Sequence, residues 1–169
     1  MNKELLAELY LRYAREVYLY VYSLCRSRAA AEDLTQETFV RALVSLNDAH
    51  PNFRAWLYLT AKNLCLNEIK REKRNKGGKT EAFSGEKKDL LEEYLKTERE
   101  RLLYACIRRL PQMSRQIIFL EYFAALPVKE IAEVMQISPG NVRVIACRAR
   151  KELRQLVERA EEGGGSNEI

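Results

Sequence analysis

Val128-Lys129-Glu130-Ile131-Ala132-Glu133-Val134-Met135-Gln136-Ile137-Ser138-Pro139-Gly140-Asn141-Val142-Arg143-Val144-Ile145-Ala146-Cys147-Arg148-Ala149-Arg150-Lys151-Glu152-Leu153 is the stretch on which the fold turns. Val128 to Met135 reads as a short helix with Ile131, Ala132, Val134 and Met135 facing inward. Ala132 puts a small side chain where two helices cross steeply. Ser138 then offers a helix cap, and Pro139 suits the first helical position because its missing N–H has no partner there anyway. Val142, Ala146, Ala149 and Leu153 follow at helical spacing as one inner stripe. Two short helices joined this way form a helix-turn-helix. One local rule is broken at Gln136, where glycine is common because the turn residue is left-handed; a side chain there costs about 1 kcal/mol.

The second helix is basic on its outer side. Asn141, Arg143, Cys147, Arg148 and Lys151 lie away from the inner stripe, close behind Ser138. A helix whose N-terminal half presents such groups fits the major groove of DNA, where side chains meet base edges. From Gly140 to Arg159 the cations Arg143, Arg148, Arg150, Lys151, Arg154 and Arg159 stand against Glu152 and Glu158 alone. An ordinary helical hairpin with a solvated face is the plainer alternative, and the Ser-Pro start combined with one-sided charge speaks against it.

Outward from this motif the chain continues to read as helix. Leu6, Leu9, Tyr13, Val17, Tyr20 and Leu24 mark one face of a helix from Glu4 to Leu24, which Cys25-Arg26-Ser27-Arg28 ends. A second helix, from about Ala29 to Leu46, offers Leu34, Thr38, Val40, Ala42 and Leu43 for packing. His50-Pro51 makes a turn, since the residue before a proline is pushed out of helical geometry. A third helix carries Trp56, Leu57, Leu64, Leu66 and Ile69 from Phe53 to about Arg74. Residues 75–97 contain Gly77-Gly78 and Ser84-Gly85 among lysines and read as a flexible linker. The expected organisation is all-α, with small helical domains at 1–74 and 98–160 and a disordered tail at 161–169. Leu110-Pro111 and Leu126-Pro127 break the second domain.

The third helix mixes aromatic and basic residues. Lys62, Lys70, Arg71, Lys73, Arg74, Lys76 and Lys79 face only Glu68 and Glu72 between positions 62 and 79. Aromatic rings stack on unpaired bases while lysine and arginine follow the phosphates, so such a helix suits separated strands. Phe53 and Trp56 equally suit a core.

Composition narrows the function classes. The 169 residues are 31% charged and 47% hydrophobic, with a formal net charge of +5 that favours a polyanionic partner. No apolar run approaches the roughly 20 residues of a membrane span, and Glu4, Glu8 and Glu16 do not fit a signal peptide, so a cytoplasmic protein is expected. Cys25, Cys65, Cys106 and Cys147 form no CxxC pair and accompany a single histidine, His50. No metal site or cofactor is expected, and the cysteines read as small hydrophobes rather than redox groups. No phosphate-binding glycine loop or carboxylate motif suggests an enzyme.

Three stretches carry a family resemblance: Ala31-Glu32-Asp33-Leu34-Thr35-Gln36-Glu37-Thr38-Phe39-Val40-Arg41-Ala42-Leu43, then Phe53-Arg54-Ala55-Trp56-Leu57 through Ala61-Lys62-Asn63, then Leu110-Pro111 through the helix-turn-helix. In order and spacing they resemble the extracytoplasmic-function (ECF) sigma factors, over about residues 5–74 and 98–157. The resemblance implies a non-catalytic subunit that recruits RNA polymerase core, recognises the −10 and −35 promoter elements and initiates transcription of a specific regulon. It implies that Asp33, Gln36 and Glu37 dock the β′ coiled coil. Trp56, Lys62, Asn63, Lys70 and Arg71 would hold the −10 element, with Asn63 reading a flipped base. Ser138, Asn141, Arg143, Val144, Cys147, Arg148 and Lys151 would serve the −35 element, while the same domain touches the β flap. An anti-sigma factor is a further implied partner. The chain departs from the family's habits at Leu59, where a basic residue is frequent, and at Val144-Ile145, where Ser-Arg is frequent; Val144 would meet a thymine methyl. The competing function is a stand-alone helix-turn-helix regulator that binds an operator without polymerase. Such a regulator has no need of the acidic face at Asp33-Gln36-Glu37.

Overall fold

The structure is a computed structural model that describes residues 1–48, 50–75 and 95–165. It contains seven helices and no strand among those residues. The chain divides into two compact units, Met1–Leu90 and Leu91–Ile169. Most of the linker expected at 75–97 lies outside the described residues.

The first unit packs three helices against one another: α1 (Lys3–Cys25), α2 (Arg28–Ser45) and α3 (Phe53–Asn75). Asn2 caps α1 by accepting the Glu4 N–H at 2.9 Å. Arg26 ends α1 in the left-handed conformation (φ 59°), with its N–H on the Tyr22 carbonyl at 2.8 Å. Ser27 caps α2 on the Ala30 N–H, so two tight local signals fold the chain back between α1 and α2.

The core of this unit differs from the expected stripes. On α1 only the second half is buried, at Val17, Leu19, Tyr20, Val21, Tyr22 and Cys25; Leu6, Leu9, Tyr13 and Leu24 are half-buried. That half is covered on more than one side because both α2 and α3 pack against α1. On α2 the inner positions are Ala31, Thr35, Thr38, Phe39 and Ala42, and Val40, expected to pack, is 53% exposed. The spacing explains the correction: Ala31, Thr35, Thr38, Phe39 and Ala42 follow the three-and-four rhythm, and Val40 falls on the opposite side. The two buried threonines return their hydroxyls to the carbonyls one turn back, Thr35 to Ala31 at 2.6 Å and Thr38 to Leu34 at 2.7 Å. Polar side chains thus enter the core with their hydroxyls bonded.

The second unit holds α4 (Glu98–Ile107), α5 (Gln112–Tyr122), α6 (Val128–Met135) and α7 (Pro139–Gly165). Thr97 and Glu100 form a reciprocal capping box at the start of α4, a Thr-x-x-Glu signal visible in the sequence. The breaks at Leu110-Pro111 and Leu126-Pro127 separate α4, α5 and α6 as read. Ile117, Ile118, Leu120, Ile131, Val134 and Val142 are the large residues sealed in this core. Gln136 takes the left-handed conformation (φ 54°), as the turn requires, and its N–H closes on Ala132. The far end corrects the expected tail: α7 runs on through residues 161–165 to Gly165. Extending a formed helix adds one hydrogen bond per residue fixed, which carries it past its last packed side chains, Val157 and Ala160. Positions 166–169 lie outside the described residues.

Candidate nucleic-acid interface

In the helix-turn-helix, the inner face of α7 is keyed by Val142, Ala146 and Ala149, all buried. The two alanines let α7 lie close against its neighbours, with Val142 sealed beside them. Arg143, Val144, Cys147, Arg148 and Lys151 are all exposed on the other side, and Val144 shows 47% of its surface. Ile145 is half-buried at the edge of the stripe. Ser138 has the role its position predicts: its Oγ accepts the Asn141 N–H at 3.1 Å. The Asn141 side chain stays exposed on the first turn.

Arg150 behaves differently from the other cations of α7. Its Nη1 donates to both carboxylate oxygens of Glu121 on α5, at 2.8 and 2.9 Å. It therefore leaves the set of outward charges counted from the sequence.

On α3, Ala55, Leu57, Tyr58, Ala61 and Cys65 face the bundle. Tyr58 is sealed in the core, where its ring meets Tyr20 edge-on at 5.4 Å and its hydroxyl donates to the Glu16 carboxylate at 3.1 Å. Burial and the Glu16 charge push the Tyr58 phenol well above its usual pKa, so it stays a donor. Trp56 and Phe53 are half-buried, which leaves part of each ring for another surface. Asn63 and Lys70 are exposed; Lys62 is half-buried, and desolvation lowers its ammonium pKa. Arg71 is held by Glu68 at 2.8 Å. Asn67, absent from the sequence reading, and Arg74, read there only as one of the run of cations, are exposed at four and eleven residues beyond Asn63, on the same helical side. Spacing from Asn63 is the signal that finds Asn67 and sets Arg74 on the same side.

Asp33, Gln36 and Glu37 are exposed on the outer side of α2, and Glu37 is paired with Arg41 at 3.0 Å. Gln36 lines a groove between α1 and α2 with Tyr10, Arg15, Tyr18 and Glu32. Val40 and Val44 continue the line of Gln36 at four-residue steps, and both are exposed. The face is thus acidic at one end and apolar at the other. The sequence reading missed the apolar half because it assigned Val40 to the core.

Among the described residues no group of histidine, cysteine and acidic side chains is placed to hold a metal ion, and no helix is long and apolar enough to cross a membrane. Three of the cysteines are buried; Cys147 is exposed.

A helix-turn-helix with a basic outer face, joined in one chain to a bundle with its own amide-and-cation helix, is the make-up of a DNA-binding transcription protein. The chain matches sigma-70 region 2 over residues 9–75 and sigma-70 region 4 over residues 100–153. It is 27% identical to the ECF RNA polymerase sigma factor SigM of Bacillus subtilis over 154 residues, covering 90% of this chain and 94% of that one. It is 28% identical to the RNA polymerase sigma factor YlaC of the same organism over 167 residues, covering 95% and 96%. Its fold is shared with the sigma factor RpoE of Bartonella quintana, solved in complex with the anti-sigma factor NepR, at a TM-score of 0.68 and 18% identity over 90% of this chain and 96% of that one. The chain belongs to the ECF sigma factors of the sigma-70 family. It binds RNA polymerase and directs transcription initiation from specific promoters.

Proposed function

We propose that these duties fall on three faces: α2 docks polymerase, α3 holds the opened −10 element, and α7 reads the −35 element. The observation that carries the reading is the split of α7 into a sealed face of Val142, Ala146 and Ala149 and an open face of Arg143, Val144, Cys147, Arg148 and Lys151. An open helix face of that make-up places guanidinium donors where a guanine presents two acceptors, and a branched methyl pair where a thymine presents one. Ser138 orients the helix start through its cap, and Asn141 stands on the first turn, within reach of a phosphate or base.

On α3, Asn63 both donates and accepts, which suits the edge of a base out of its stack. Trp56 supplies part of a ring for stacking, and Lys62, Lys70 and Arg71 follow the backbone, Arg71 after exchanging Glu68 for phosphate. On α2, Asp33, Gln36 and Glu37 meet the β′ coiled coil, and exposed Val40 and Val44 extend that contact with apolar area. In the second unit Met113, Tyr122 and Phe123 are exposed apolar residues and form the surface for the β flap. The RpoE relative is held by an anti-sigma factor, and the same exposed residues would be covered by a partner of that kind. The two units act as residues 1–74 and 98–160 on either side of the linker.

The reading is tested by transcription with core polymerase on a library randomised in both promoter elements. Arg143→Ala alters base preference in the upstream element only, and Asn63→Ala in the downstream element only. Preferences that shift together in both elements, or in neither, would refute it.

A further inference from the structure

The Glu121–Arg150 pair links the helix beside the motif to the recognition helix. Arg150 lies seven residues after Arg143 and four before Arg154, so all three share one ridge of α7. Seven residues advance a helix by about 10 Å, close to the about 10 Å that three base-pair steps of 3.4 Å advance along a duplex. Left to itself, the Arg150 guanidinium would stand on the flank of the DNA face with Arg143. Glu121 instead engages it from α5 with both oxygens, 2.8 and 2.9 Å away. The pair is partly open to solvent, with 40% of the Arg150 side chain and 30% of Glu121 exposed, so it is worth little as a stabilising bond. The α7 inner stripe itself, Val142, Ala146 and Ala149, is apolar and carries no charge.

We infer that Glu121 is a specificity-determining residue for −35 binding, which acts by withholding Arg150 from the DNA backbone. The inference rests on α7 being the DNA-reading helix. A phosphate contact strengthens every sequence alike, whereas base contacts strengthen only the cognate one. Removing one cation from the phosphates therefore lowers non-specific binding and leaves the base-reading face intact. The ratio of cognate to random affinity rises as a result.

The experiment compares the full chain with its Glu121→Ala, Arg150→Ala and double variants on two duplexes: a scrambled sequence, and a −35 sequence selected from a randomised library. Binding is followed by anisotropy across salt concentrations. Glu121→Ala is expected to steepen the log–log salt slope on both duplexes by about 0.9, one added phosphate contact. A fourfold drop in salt then gives the variant an extra gain of about 3.5-fold. The gain vanishes in the double variant, and Arg150→Ala alone leaves the slope as it was. A fold that merely loosened would weaken binding and would not steepen its salt dependence.

An unchanged slope in Glu121→Ala overturns the inference. So does a steeper slope that persists without Arg150, since it would reflect only the lost negative charge. Arg143→Ala and Arg148→Ala serve as the separate check on α7: if neither changes binding to either duplex, the DNA-reading assignment itself fails, whatever Glu121 does.

Discussion

The two units solve the same problem, a small helical core that leaves one basic helix face open, from different materials. The second is sealed mainly by aliphatic residues, Ile117, Ile118, Leu120, Ile131, Val134 and Val142 among them, with Gln116 as its buried polar residue. The first buries Tyr20, Tyr22 and Tyr58 with Thr35 and Thr38, and bonds the Tyr58 hydroxyl to Glu16. Aliphatic packing fixes how far apart helices sit and is forgiving in direction. Buried hydroxyls demand particular partners, because an unbonded one costs about 1–3 kcal/mol. The first core is therefore keyed by direction, and the second by shape.

The contrast predicts where each unit breaks. Ile131→Ala opens a cavity in the second core and should cost about 2–5 kcal/mol. Amide hydrogen exchange would show the loss confined to α4 through α7, and equal loss of protection in α1 to α3 would contradict the independence of the two cores. Tyr58→Phe keeps the ring and removes only the hydroxyl, leaving Glu16 without its donor; it should cost about 1.5–3 kcal/mol, seen as faster exchange in α1 and α3. A neutral result would mean that the first core is held by shape as well.

Arg143→Ala probes the open face rather than the core. It should reduce affinity for the preferred −35 sequence by about 1–3 kcal/mol with the melting temperature unmoved. A loss of equal size on every sequence would make it a phosphate contact. The smallest effect is a gain. Gln136 holds φ 54° in the turn, so Gln136→Gly should stabilise the second unit by about 1 kcal/mol. Destabilisation would show that the Gln136 side chain has a role of its own.

How much was legible follows the same division. In the second unit Ser138-Pro139, the Leu-Pro breaks and the strict stripe from Val142 gave both the helices and the face they leave open, since each signal acts within one turn of where it stands. In the first unit, Val40 reads as inward although Phe39 is the buried neighbour, because the alanines and threonines of α2 leave its apolar pattern hardly favouring one side. Which side is buried there is decided by contact with α1 and α3, and no local pattern records it. The same misreading hid the apolar half of the α2 face. Arg150 reads as one of the outward charges because its partner, Glu121, lies in another helix, 29 residues away in sequence. Long-range ion pairs leave no trace in spacing.

The central claim is that three faces of one chain have separate tasks, and α2 is where it is most exposed to test. Core polymerase should be titrated with the full chain and with Gln36→Ala, while binding of both proteins to a −35 duplex is measured in parallel. The account predicts a loss of core affinity of about tenfold, the size of a central interface residue, with duplex binding unchanged. Unchanged core affinity, or loss of both together, would contradict it.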